Sequence, residues 1–314
     1  LGHSFGNFEN LLRDVSLHPC MGISLSHMGN RKSDPVAKTF PDENYAREIM
    51  QLFSIGLWML DTDGTRLLDG NNQPIPTYNN TNITEFARVF TGLSFGQTSA
   101  GANNTNFEQY DGSFTSPMKG WDEHHDLAPK TLLLGATTPL RVASPGNTGT
   151  ATMADVDAVI SNLFNHPNVG PFLGKQLIQR LVTSNPSAAY VGRVAAAFNA
   201  APRGDLGRTV KAILLDPEAR DAAMMNDPTY GKLREPFLKA VNVARAFNAT
   251  APNGWYYLDA FILDHAQEPM KAPSVFNFYL PSHMPPGPLA DAGLVAPEFQ
   301  IVNATSGTTA PNYF

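Results

Sequence analysis

The chain has 314 residues, of which 42% are hydrophobic and only 16% charged, and its formal net charge is −6 at pH 7. This composition excludes a disordered chain, and the acidic balance argues against a protein that grips nucleic acid or an anionic membrane through basic patches. The one cysteine, Cys20, excludes an internal disulfide and any zinc or iron–sulfur centre built from several cysteines.

In chain order, Asn7 to Leu17 reads as a helix with Phe8, Leu11, Leu12 and Val15 on one face, ended by His18-Pro19. Pro41-Asp42-Glu43 opens a second helix, where a first-turn proline and acids at the positive end of the dipole are both favourable. Tyr45, Ile49, Leu52, Phe53 and Leu57 follow at helical spacing, Gly56 weakens the last turns, and the helix is over by Asp61. Leu67-Leu68 and Ile75 to Tyr78, separated by Asp/Gly/Asn turn clusters, read as a small hairpin. Thr81 or Asn82 caps the next helix, whose buried face is Ile83, Phe86, Ala87, Val89 and Phe90, and Gly92 ends it. Residues 94–150 lack a long helical period and contain one short predicted strand, Lys130 to Leu134. From there the pattern predicts helices over Ala154–Asn165, Val169–Val182, Ser187–Asn199, Leu206–Leu215, Tyr230–Asn248 and Trp255–Ala266. The tail from Pro269 is rich in proline, and Val275, Phe276, Phe278 and Tyr279 are expected to pack down on the helices. The expected fold is therefore mainly α: a single multi-helix domain over 1–314, with an irregular, β-containing insertion at 61–150 and a Pro-rich aromatic tail at 269–314. No run of about 18 apolar residues offers a transmembrane helix.

Several stretches resemble a known family. Pro41-Asp-Glu-Asn-Tyr-Ala-Arg-Glu-Ile-Met-Gln-Leu-Phe-Ser-Ile-Gly56 and Glu85-Phe-Ala-Arg-Val-Phe-Thr-Gly92 carry the likeness first. His125-Asp126 with Lys130, His166-Pro167, Gln176 to Pro186, Arg203-Gly-Asp-Leu206, Asp216-Pro-Glu-Ala-Arg220, Leu233-Arg-Glu-Pro236 and Pro273 to Tyr279 extend it nearly end to end. Together they resemble the bacterial domain-of-unknown-function family 1800 in its long form. The resemblance implies a largely helical fold, an exported protein (periplasmic, surface or extracellular) of which this chain is the C-terminal portion, and a sulfatase- or phosphatase-like secreted partner encoded nearby. It supplies no reaction.

The candidate chemistry centres on two segments. On the helix from Glu43, the pairs Glu43/Arg47 and Asn44/Glu48 stand four residues apart, so they form a polar stripe that Gln51 extends. The functional reading is a site wall, with Glu43, Asn44, Arg47 and Lys130 binding substrate. The plainer reading is a buried network that locks this helix to the next through Arg88. Trp121 to Asp126 gathers five polar side chains. There His125-Asp126 could serve as an oriented general base or as two ligands of a divalent metal, completed from Glu43, Glu48 or His166. The plainer reading is a capped turn linked to Lys130. The catalytic candidates are thus Glu48, Arg88, His125 and Asp126. Asp61, Asp63 and Asp69 could hold calcium in a loose turn. An EF-hand fails, because Arg66 and Asn72 stand where glycine and glutamate are required, and an Asp/Gly hairpin turn is the default. Two functions fit: a hydrolase acting on a polymeric, sulfated or phosphorylated substrate, or a non-catalytic binding, scaffold or surface-assembly protein.

Overall fold

The computed structural model describes residues 2–108, 111–256, 265–268 and 270–312. The fold is mainly α, as the periodicity predicts. Among the described residues it has α1 (Phe8–Ser16), α2 (Pro19–Ser24), α3 (Asn44–Gln51), α4 (Asn80–Val89), β1 (Leu93–Phe95), β2 (Met118–Gly120), α5 (Thr150–Phe164), α6 (Val169–Leu181), α7 (Ala188–Asn199), α8 (Leu206–Leu215), α9 (Pro217–Arg220), α10 (Pro236–Ala246), α11 (Pro288–Asp291) and α12 (Ala304–Asn312). The chain forms two compact units: Leu1–Gly174 with Val191–Ala212, and Lys175–Tyr190 with Ile213–Phe314.

In the first unit α5 is the central helix, packed against α1, α4 and β2, while α3 packs on α4. Ile49, Met50, Phe86, Val89, Phe90, Val156, Val159, Ile160 and Leu163 form the middle of its core. Burial of such side chains contributes roughly 1.5–3 kcal/mol each. Helix α3 stops at Gln51, short of the predicted end. The amides of Ile55 and Gly56 both turn back to the Met50 carbonyl at 3.0 Å. Gly56 has φ +74°, and a Cβ there would meet the Phe172 ring at 2.7 Å, so only glycine fits this cap. Helix α4 begins earlier than expected because Asn79, not Thr81 or Asn82, is its cap. Its side chain accepts from the Asn82 amide while the Asn82 side chain accepts from the Asn79 amide.

Between α3 and α4 the predicted hairpin is a three-pass meander with antiparallel bridges Trp58–Pro76, Leu60–Arg66 and Leu68–Pro74. The predicted strand over Lys130–Leu134 is not one. It is a tight turn closed by a single Thr131–Thr137 bridge, with Leu134 at φ +57°. The sheet the pattern did not reveal pairs β1 with β2, Leu93 opposite Gly120 and Phe95 opposite Met118. Helix α2 was also hidden. Pro19 suits its first turn, and the His18 ring nitrogen accepts from the Cys20 amide at 3.2 Å. His166 likewise accepts the Asn168 amide, in the turn just ahead of α6.

In the second unit the helix expected from Tyr230 starts only at Pro236, because a residue before proline leaves the α region and Glu235 is extended at ψ 149°. Tyr257–Asp264, most of the helix expected over Trp255–Ala266, lies outside the described residues. Of the tail's apolar residues, Tyr279 is buried, with the Arg180 guanidinium 4.5 Å from its ring centre, whereas Val275 and Phe276 stay exposed.

Candidate functional site: an ionic cluster around a buried aspartate

The charged residues singled out in the sequence do not all meet. Glu43 and Arg47 sit half-exposed on the outer side of α3, 3.6 Å apart, and Asn44 is exposed beside them. What ties α3 to α4 there is the Thr84 hydroxyl donating to Glu43 at 2.9 Å, not Arg88. Glu48 is buried and its Oε2 has no hydrogen-bond partner among the described residues. Burial pushes its carboxyl up, and the neighbouring Arg47 charge only partly opposes that. It makes no hydrogen bond to Arg88, His125 or Asp126.

Arg88, His125, Asp126 and Lys130 do converge, around a residue the sequence reading passed over. Asp155, on α5, is fully buried. Its Oδ2 lies 2.6 Å from Lys130 Nζ and 3.2 Å from His125 Nε2, and its Oδ1 accepts from Arg141 Nε at 2.7 Å. Lys130 Nζ also donates to the Asp126 carbonyl. Asp126 itself receives Arg88 through two nitrogens, at 2.7 and 3.2 Å. A third Arg88 bond goes to Glu85 at 2.7 Å, and the other oxygen of Glu85 accepts the Thr131 amide. Three cations (Lys130, Arg141 and Arg88) thus face three carboxylates (Asp155, Asp126 and Glu85), the balance that buried charge requires.

The electrostatics follow from this packing. Burial alone would raise the Asp155 carboxyl, but hydrogen bonds from His125, Lys130 and Arg141 hold it at about 2. Burial draws the Lys130 ammonium below its ordinary value despite Asp155. The Asp126 hydrogen bond leads in driving the Arg88 guanidinium upward. Burial would raise Asp126, but its bonds from Arg88 and the Ala128 amide, together with the Arg88 and Lys130 charges, hold it below the usual carboxylate range.

Beside this cluster, Asp122 supplies the cap that α5 cannot provide for itself. The cap position is Gly149, which has no side chain. Asp122 instead accepts the amide and hydroxyl of Thr152, at 2.9 and 2.7 Å, and the amide of Ser144 at 2.8 Å. Burial would raise it, yet these donors bring it to about 2. With its amides satisfied from across the chain, α5 starts at Thr150, four residues before its apolar period suggests.

Among the described residues no three His, Cys, Asp or Glu side chains gather as a metal ion would need. His125 is engaged by Asp155 and Lys130, and Asp126 by Arg88, so the two adjacent side chains serve different partners. Asp61, Asp63 and Asp69 each accept backbone amides within their own turns, from Thr62, Thr65 and from Asn71 and Gln73. That is the hairpin-turn role of aspartate.

The stretches that point to a family all lie along this one chain, and the family model described as "Protein of unknown function (DUF1800)" matches residues 1–312. The chain belongs to the DUF1800 family. No curated protein and no solved structure matches it. Three stretches of the DUF1800 resemblance, Glu85–Gly92, His125-Asp126 and Lys130, are those that build the ionic cluster in this chain. Asp155, Arg141 and Asp122 complete it from outside them. Asp155 left one trace in the sequence, a charged residue between Thr152 and Val156 on the apolar face of a helix.

Proposed function

We propose that this chain is an exported, non-catalytic protein that binds or scaffolds a partner. The sulfatase- or phosphatase-like secreted protein suggested by the family resemblance is the first candidate. One observation carries the reading: His125, the general base a hydrolase would use, is spent on Asp155 and Lys130 where substrate does not reach it. His125 and Asp155 are 0% exposed and Lys130 is 1% exposed. A general acid, base or nucleophile must come within hydrogen-bond reach of substrate or of one intervening water.

Large apolar side chains left in solvent support the binding role. On the short hairpin closed by the Asp34–Thr39 bridge, Val36 is 92% exposed and Phe40 lies open just beyond it. Leu140 and Val142 stand out on either side of the inward-turned Arg141. Contiguous apolar surface marks contact sites for other molecules, and these two pairs are where the proposed partner would be expected to touch.

Two measurements test this. Wild-type protein and His125→Ala, assayed on sulfate esters, phosphate esters and polysaccharides, should both show no turnover above buffer. The secreted partner should co-elute with the wild type in gel filtration. Turnover by the wild type that His125→Ala abolishes while still folding would reinstate the hydrolase and defeat the proposal.

A further inference from the structure

We infer that Lys130 and Asp155 condense with each other into a side-chain amide, so that the folded chain carries an internal covalent crosslink from the loop after Asp126 to helix α5. With one cysteine the chain cannot lock itself by an internal disulfide, and this pair is placed to do so by other chemistry.

Four features of the geometry favour the reaction. The nucleophile and the carboxyl are held together, Nζ 2.6 Å from Oδ2, by a fold that buries both side chains completely. Fixing two reactants in this way replaces a bimolecular encounter by a very high effective concentration. His125 bridges them: its Nε2 is 3.4 Å from Nζ and 3.2 Å from Oδ2. Its Nδ1 is 2.9 Å from the Thr91 carbonyl, an acceptor only, so Nδ1 carries a hydrogen and Nε2, lying between Nζ and Oδ2, is the atom that hands a proton to Oδ2 and takes one from Nζ. Arg141 Nε sits 2.7 Å from Oδ1, where it stabilises the charge that develops on that oxygen as nitrogen attacks. The Asp126 carbonyl, which already accepts from Nζ, remains in place to accept the N–H of the amide.

The step balances without any co-reactant. One ammonium proton passes through His125 to Oδ2, leaving a neutral amine and a neutral acid. The amine lone pair attacks Cγ and the Nζ–Cγ bond forms. A second Nζ proton follows through His125 to the same oxygen, the Cγ–Oδ2 bond breaks, and one water leaves. An ammonium and a carboxylate become a neutral amide, which removes two charges from a site where burying them is costly. With no bulk water at the site, hydrolysis of the product is disfavoured.

Intact mass spectrometry of the purified, denatured protein decides the question. The wild type should be lighter than its sequence by one water, and proteolysis should release a branched peptide joining Lys130 to Asp155. Lys130→Arg should run at full sequence mass, and Asp155→Asn should lose ammonia in place of water. Wild-type protein at full mass, or a lost water that maps to a single linear peptide such as a dehydrated Asp-Gly turn, would overturn the crosslink. The wild-type result is decisive even where a variant fails to fold.

Discussion

Asp155→Ala is expected to destabilise the first unit by about 3–5 kcal/mol, the cost of leaving a buried charge without its partner. Lys130 is 1% exposed and cannot carry its ammonium to solvent, and His125 loses the acceptor at Nε2. Arg141 suffers least, because a quarter of its side chain already reaches water. Replacing both members of the pair, Lys130→Met with Asp155→Leu, should recover much of that loss, since an apolar pair of similar volume needs no compensation. Loss of the Lys130–Asp155 amide would add to the effect of the single variant through a less constrained unfolded chain. Urea unfolding at neutral pH, read as a shift in midpoint at constant slope, checks this. A shift worth less than about 1 kcal/mol, the level of an exposed ion pair, would mean that the cluster is not buried as described.

Acid should unfold the protein in two stages. His27 is wholly buried, stacked on Tyr45 at 3.8 Å, with one ring nitrogen 2.9 Å from the Ser16 carbonyl. Burial lowers it from 6.5 to about 4, only partly offset by that carbonyl. His166 is lowered to about 4 as well, by burial and then by the nearby Arg203 charge. Both are bases whose folded values lie below their unfolded ones. Between pH 6.5 and 4 the unfolded chain therefore binds more protons than the folded one, and stability falls as pH falls. Each histidine contributes roughly 3 kcal/mol across that window. Asp122, held at about 2, acts lower. Its contribution is complete above its ordinary value of 3.8 and is lost between there and about 2. Urea midpoints measured from pH 7 to pH 3 should fall steeply through the histidine window before the carboxylates begin to protonate. A flat response from pH 6.5 to 4.5 would contradict the buried, neutral state of His27 and His166.

The helices were legible because their signal is local. Ile83, Phe86, Ala87 and Val89 define one face within a few turns, and the structure buries that face. The cluster was legible in Arg88, His125-Asp126 and Lys130, but not in which of them pair with which. Its remaining bonds join residues far apart in the chain: Arg88 with Asp126, Glu85 with Thr131, Asp122 with Thr152, His125 with Asp155. No period or spacing marks such pairs. The sheet was hidden for a related reason, since each strand is three residues long and alternation needs more length than that to register. Glu48 shows the limit from the other side. Its place four residues from Asn44 suggested a shared polar face, yet Glu48 is buried and Asn44 exposed, because the edge of the core-facing stripe of α3 falls between them.

Carbethoxylation of histidines by diethyl pyrocarbonate, followed by peptide mass mapping of the folded protein, tests most directly whether the cluster is sealed. His18 lies exposed at the head of α2 and His125 is 0% exposed. His18 should be modified under native conditions while His125 stays unmodified until the protein is unfolded. Modification of native His125 at a rate comparable to His18 would show that reagents of substrate size reach the cluster, and would contradict a structural role for it.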